Sequence, residues 1–224
     1  MRIARLFFTA PLAAVLFMPL PVLAGFNEGV LAFESEDYPA ALKEFMPLAK
    51  TGQPAAMTYV GRIFEEQDKL AEAAVWYQKA AQKGFADAQT QLAQLYESGE
   101  GVPKDEARAM ELYAKAAAQG DDEAQLALGE HAEDDLNDNK TAQQWYEKAA
   151  AQDNPDAQYR LGLLLISDEE GVVRDVPHAW MYLSLAAEHD NDDALQARDV
   201  LELEMEPVEV RGARKLLDAW KKTH

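Results

Sequence analysis

No cysteine occurs anywhere in this chain. Disulfides are therefore excluded as staples, even in an oxidising compartment that would permit them. A lipid on an N-terminal cysteine is excluded as well. Positive charge is scarce, with 21 Lys and Arg against 40 Asp and Glu and a formal net charge of −19. A nucleic-acid binder needs clustered cations to release phosphate counterions, and docking on anionic lipid needs the same. Neither requirement is met, and the acidity itself keeps such a chain in solution. Histidine is limited to His131, His178, His189 and His224, too far apart in sequence to form a zinc-hydrolase motif. Ser35, Ser98, Ser167 and Ser184 all lack a Lys three residues on, so no Ser-x-x-Lys nucleophile exists. The chain reads as non-enzymatic, with no catalytic residue, metal or cofactor.

The N-terminus carries an address. Arg2 and Arg5 precede an uncharged apolar run from Leu6 to Leu23, interrupted by Pro11, Pro19 and Pro21. Val22-Leu23-Ala24 then places small or permissive residues at the usual signal-peptidase positions. Residues 1–24 are predicted to be a signal peptide, with the mature chain starting at Gly25. Three prolines make the run a poor membrane span. No adjacent arginine pair marks a twin-arginine signal. The expected product is exported and periplasmic, with no membrane insertion after cleavage.

The rest of the chain repeats one phrase. Tyr77-Gln78-Lys79-Ala80-Ala81, Tyr113-Ala114-Lys115-Ala116-Ala117 and Tyr146-Glu147-Lys148-Ala149-Ala150 are near copies. Looser copies lie at Leu48-Ala49 and Ala186-Ala187. Gly52, Gly84, Gly120, Asp153 and Asp190 follow the phrases at intervals of about 32–37 residues, the period of stacked helical hairpins. Each hairpin opens with Ala-x-x-x-Leu-Gly or a variant: Ala56 to Gly61, Ala88 to Ala93, Ala124 to Gly129, Ala157 to Gly162. Ala and Leu four apart share one helix face, and the small residue after Leu admits a neighbouring helix. Leu128 is expected to be buried between the helices of its hairpin. The Gly or Asp after the second helix suits a left-handed C-terminal cap. Trp76, Trp145, Trp180 and Tyr182 are assigned, with the repeated tyrosines, to packing.

The predicted architecture is all-α: an α–α superhelical solenoid of about five hairpins over residues 25–190, with a C-terminal helical cap over 191–224. Pro207 suits the first turn of a basic final helix. Two acidic loops imitate ion sites. Asp135 to Lys140 begins like a calcium loop, but Lys140 and Tyr146 occupy the positions that need Gly and Glu. Asp190 to Asp193 is shorter still, and both read as turns that cap helices.

The third repeat carries a known pattern nearly whole: Ala88, Leu92, Tyr96, Gly99, Gly101, Val102, Asp105, Ala109, Tyr113, Lys115, Ala116, Ala117 and Gly120. It resembles the Sel1-like repeat family, with Ala93 standing where Gly is usual. The first two repeats lack the long Gly-x-Gly turn and are similar to ordinary tetratricopeptide hairpins. The resemblance implies a right-handed superhelix whose first helices line the concave side, and an adaptor or regulator role without naming a partner. Penicillin hydrolysis near this fold belongs to cysteine-rich relatives, so a β-lactamase-like hydrolase ranks third among the readings. A cell-envelope accessory protein contacting peptidoglycan or an exported polysaccharide ranks second. The first reading is a scaffold that binds a protein or extended peptide. Once packing positions are assigned, Thr58, Arg62, Thr90, Gln94, Leu126, Glu130, Tyr159 and Leu163 are left to face the groove, joined by Ile166. They grade from a polar grip at Arg62 and Gln94 to an apolar anchor at Tyr159. The alternative is that the C-terminal cap covers the apolar end.

Overall fold

The computed structural model describes residues 20–167 and 169–224. The expected leader falls largely outside the described residues, as does Asp168. Among the described residues there are twelve α-helices, one π-helical turn and no strand. The helices are α1 Leu20–Glu34, α2 Tyr38–Lys50, α3 Pro54–Glu66, α4 Leu70–Ala81, α5 Ala86–Ser98 and α6 Glu106–Ala117. Then follow α7 Asp122–Glu130, α8 Asn139–Ala150, α9 Pro155–Leu164, α10 Val176–Ala187, α11 Asp192–Glu204 and α12 Pro207–Thr223. The first ten pair in order as antiparallel hairpins, each packed on the next.

Helix limits are written locally. Asp105, Asp138 and Asp175 cap α6, α8 and α10, each accepting a hydrogen bond from the backbone N–H three residues on. Asp121, Asn154 and Asn191 do the same for α7, α9 and α11. The loops that imitate ion sites thus contribute Asp138 and Asn191 as caps. At the opposite ends, Gly52, Gly84, Gly120, Asp153 and Asp190 all take positive φ, between 60° and 94°. The chain reverses there into the next hairpin, as the periodic Gly or Asp predicts.

Packing within a hairpin follows one rule. Ala56, Ala88, Ala124 and Ala157 are fully buried, as are Tyr77 and Tyr146, with Tyr113 nearly so. Gly61 faces the Tyr77 ring and Gly129 the Tyr146 ring, so closely that a Cβ would lie 2.5 and 2.4 Å from ring carbons. Each Tyr hydroxyl donates to a glutamate near the end of its partner segment: Tyr77 to Glu65, Tyr113 to Glu97 at 2.8 Å and Tyr146 to Glu133 at 2.7 Å. The fifth hairpin substitutes Leu183, which is fully buried against Gly162. Tyr182 sits one position off this register, half-buried, and meets Trp220 of α12 edge-on at 5.7 Å. Trp76 and Trp145 are also only half-buried; their rings carry Lys79 and Lys148 at 4.0 and 3.7 Å.

Two features were not read from sequence. Leu128, expected to be buried, is only half-buried, because α7 is short and passes at once into a π-helical turn, His131–Asp135. The apolar core divides here, with Ala124 in one cluster and Ala132 in the other. The second feature is a glutamine ladder. Gln89, Gln125 and Gln158 are buried and donate to the Ala81, Ala117 and Ala150 carbonyls at the end of the preceding hairpin. Gln119 and Gln152 then donate to Gln89 and Gln125. Buried carbonyls left open by a helix end need such donors.

The terminal pair differs from the hairpins. Residues Met205 and Glu206 are extended, and α12 packs back over α10. Arg214 of α12 reaches Glu202 at 2.9 Å, and Lys221 pairs with Glu188.

Candidate binding groove

Successive first helices are tied by polar side chains. Arg62 of α3 donates to Asp87 of α5 at 2.7 Å, and Thr90 of α5 to Asp121, the α7 cap, at 2.8 Å. Asn154, the α9 cap, donates to Asp122 of α7 at 2.9 Å, and Arg160 of α9 to Glu130 at 3.2 Å. The first helices thus share one polar face along the stack. Its charge is mostly negative. Glu123 keeps solvent access, yet the protein wall around it and the nearby carboxylates of Asp121, Asp87 and Asp122 lift its pKa to about 7. Desolvation also raises Asp87 and Asp121 above the ordinary carboxylate range, against the opposing pull of Arg62 on the first and of hydrogen bonds on the second.

This has a measurable consequence. A carboxyl whose folded pKa lies above its ordinary value of 4.5 binds its proton more tightly in the folded state. Stability then falls as pH rises from about 4.5 through about 7. Glu123→Gln removes the charge, so the variant is expected to melt above the wild type at pH 8, with the gap closing near pH 5. Melting temperatures at the two pH values check this; an equal difference at both would refute it.

At the other end of the face is a cavity of about 470 Å³ between α9 and α11. Tyr159, Ile166, Ala197, Val200 and Leu201 supply its apolar surface, with Arg174, Asp193, Gln196 and Glu204 around it. Val200 is 54 % exposed, and Leu203 on the same helix is 88 % exposed. The expected apolar end is therefore flanked by α11, while α12 lies on α10.

The nine residues expected to face the groove divide into four groups. Thr58 and Thr90 are each 1 % exposed, and their hydroxyls bond to the Pro54 carbonyl and to Asp121. Arg62 and Glu130 are half-buried in ion pairs with Asp87 and Arg160. Leu126 and Leu163 are half-buried against the second core cluster. Gln94 is exposed, and Tyr159 and Ile166 reach the cavity. Sequence reasoning missed the acidic group around Glu123 and the whole α11 wall. The acids directly before Ala88, Ala124 and Ala194 were the available signal.

Groups with chemical potential are otherwise engaged. The hydroxyls of Ser35, Ser98, Ser167 and Ser184 each donate to a carbonyl three or four residues back. Glu106, His131 and Asp135 bring donor atoms within 4.8 Å of one another, a set able to hold a metal ion that local sequence did not reveal. His131 Nδ1 lies 2.7 Å from Asp135 Oδ2, so the pair is already satisfied as a hydrogen bond.

Stacked hairpins whose first helices share a polar face define a helical-repeat solenoid. Comparison with known proteins narrows the class. The Sel1 repeat model matches residues 86–121, 122–154 and 155–191, and a tetratricopeptide repeat model matches residues 26–84. The chain belongs to the Sel1-like, tetratricopeptide-related repeat proteins. A Sel1 repeat protein from Oxalobacter formigenes is similar in structure, with a TM-score of 0.67 and 29% identity over 76% of this chain and 70% of that one. A protective antigen of uropathogenic Escherichia coli with an SLR fold gives 0.57 and 25%, over 90% of this chain and 53% of that one. A Sel1 repeat protein from Klebsiella pneumoniae shares the fold at 0.54 and 19% identity, over 81% and 93%. No curated protein sequence matches significantly. Repeats of this kind typically serve as scaffolds for protein–protein interaction. Among the described residues no helix is long and apolar enough to cross a membrane.

Proposed function

We propose that this protein is a non-enzymatic, exported periplasmic scaffold that holds another protein, through an extended segment, along its inner face. The observation that carries this reading is the cavity lined by Tyr159 of the first helix α9 and by Ile166 just beyond that helix. A groove with an apolar anchor at one end and polar side chains along its length suits a peptide backbone and a few side-chain pockets. The test pairs Tyr159→Ala with Gln94→Ala, the latter in place of Arg62 because removing that cation would strand the Asp87 carboxylate. Both variants are expected to fold, by circular dichroism, and to lose partners that the wild type captures from periplasmic extract. Undiminished capture by both would move the site to the loops or the convex face.

Export rests on the leader pattern. Phe26, Gly29 and Phe33 of the expected mature chain contact α2 and α3. Phe26 meets Phe45 and Tyr59 edge-on at 5.4 and 5.6 Å. Cleavage after Ala24 would leave those contacts intact. N-terminal sequencing of the protein recovered from a periplasmic fraction is expected to begin at Gly25. An intact Met1, or recovery with membranes alone, would refute export.

A further inference from the structure

The partner's chemistry can be narrowed from the charges on the inner face, on the basis of the groove reading above. We infer that the groove takes an extended segment in which Lys or Arg residues accompany a large apolar side chain. The apolar residue enters the cavity between α9 and α11, and the cations lie along the first-helix carboxylates.

Three observations converge on this. The cavity has an apolar floor in which Tyr159, Ile166 and Val200 remain open to solvent over the buried Leu201, so a large side chain would remove exposed apolar surface there. Among the described residues lining the cavity, Asp193 and Glu204 are carboxylates and Arg174 is the one cation. Further along the face, the protein's own cations are committed: Arg62 pairs with Asp87, and Arg160 with Glu130 and Glu133. Glu123 stands solvent-accessible among Asp87, Asp121 and Asp122, where the like charges repel one another. An incoming Lys or Arg relieves that repulsion, whereas an acidic segment adds to it. Helices α5, α7, α9 and α11 follow one another along the stack, so an extended segment lying across them can seat its anchor at α11 and place cations beside α7 and α5. The protein's own basic helix is a poorer candidate, because Arg214 and Lys221 of α12 are engaged with Glu202 and Glu188.

Fluorescein-labelled unstructured peptides of about 12 residues provide the test by fluorescence anisotropy. One peptide carries Lys around a Trp, the second Glu around the same Trp, and the third Lys around a Ser. The Lys–Trp peptide is expected to bind, more weakly as salt is added. The other two are expected to bind at least about tenfold more weakly. Val200→Asp and Glu123→Lys both change solvent-accessible positions, and each is expected to weaken the Lys–Trp peptide about tenfold, with folding checked by circular dichroism. Equal or tighter binding of the Glu–Trp peptide would overturn the basic partner and leave the groove intact. Binding that ignores both substitutions would overturn the groove as well. Failure of all three peptides would overturn this inference, and capture by Tyr159→Ala would then decide the groove separately. Self-association in sedimentation that Glu123→Lys abolishes would identify a second copy as the occupant and overturn it too.

Discussion

Leu161→Ala is expected to lower stability by about 2–5 kcal/mol, the range for a leucine truncated in a core that cannot collapse around the loss. Leu161 is 0 % exposed and belongs to the second core cluster, packed with Leu164, Ala179 and Leu183. Its neighbours on α9 and α10 are held by the Asn154 and Asp175 caps, which restrict how far the helices can close over a cavity. Leu128→Ala, at the equivalent position two hairpin helices earlier, is expected to cost distinctly less, because that side chain is already half in solvent. Denaturant midpoints of the two variants measure the difference. Equal midpoints would mean that the core does not divide at α7.

Gly129→Val is the second large effect. A Cβ at this position would lie 2.4 Å from Cε1 and 2.6 Å from Cδ1 of Tyr146. The ring is fully buried and its hydroxyl is bonded to Glu133, so it can retreat only by breaking that hydrogen bond. Overpacking costs about 1–3 kcal/mol, and an unmade buried hydrogen bond about 1–3 kcal/mol more. The variant is expected to lose its cooperative transition at a much lower denaturant concentration than the wild type. The equivalent position in the third hairpin is Ala93, buried in the same cluster as Tyr113. Ala93→Gly is expected to cost about 1 kcal/mol, the helix-propensity loss of Gly against Ala, and so distinctly less than Gly129→Val. A wild-type midpoint for Gly129→Val would refute the close approach of α7 and α8.

These two expectations differ in how visible they were beforehand. That Gly129 sits beside a helix is legible from the Leu-Gly pair and its copies. That Tyr146 is the group it meets depends on the angle between two helices, which no local pattern records. The same holds for the fifth hairpin. The sequence assigns Tyr182 to packing along with the other aromatics, and counting back from Ala186-Ala187 it is Leu183 that stands against Gly162. Only packing distinguishes those neighbours, because both are large and one residue apart.

Local sequence by itself determined the hairpins. Side-chain oxygens of Asp105, Asp121, Asn154 and Asp175 satisfy open N–H groups at helix starts, and residues tolerant of positive φ end the second helices. Each is a contact within a few residues, so its signature survives in one dimension and repeats with the fold. The groove was decided elsewhere. Thr90 and Arg62 look free on a helical wheel, yet a neighbouring hairpin supplies Asp121 and Asp87 and turns them inward. The cavity wall on α11 and the acids around Glu123 likewise come from residues about 30 or more positions apart, one repeat period, brought together by stacking. Periodicity specifies that hairpins stack. Which side chains the stacking buries, and which charges it forces together, depends on distances between repeats, and only the tertiary structure sets those.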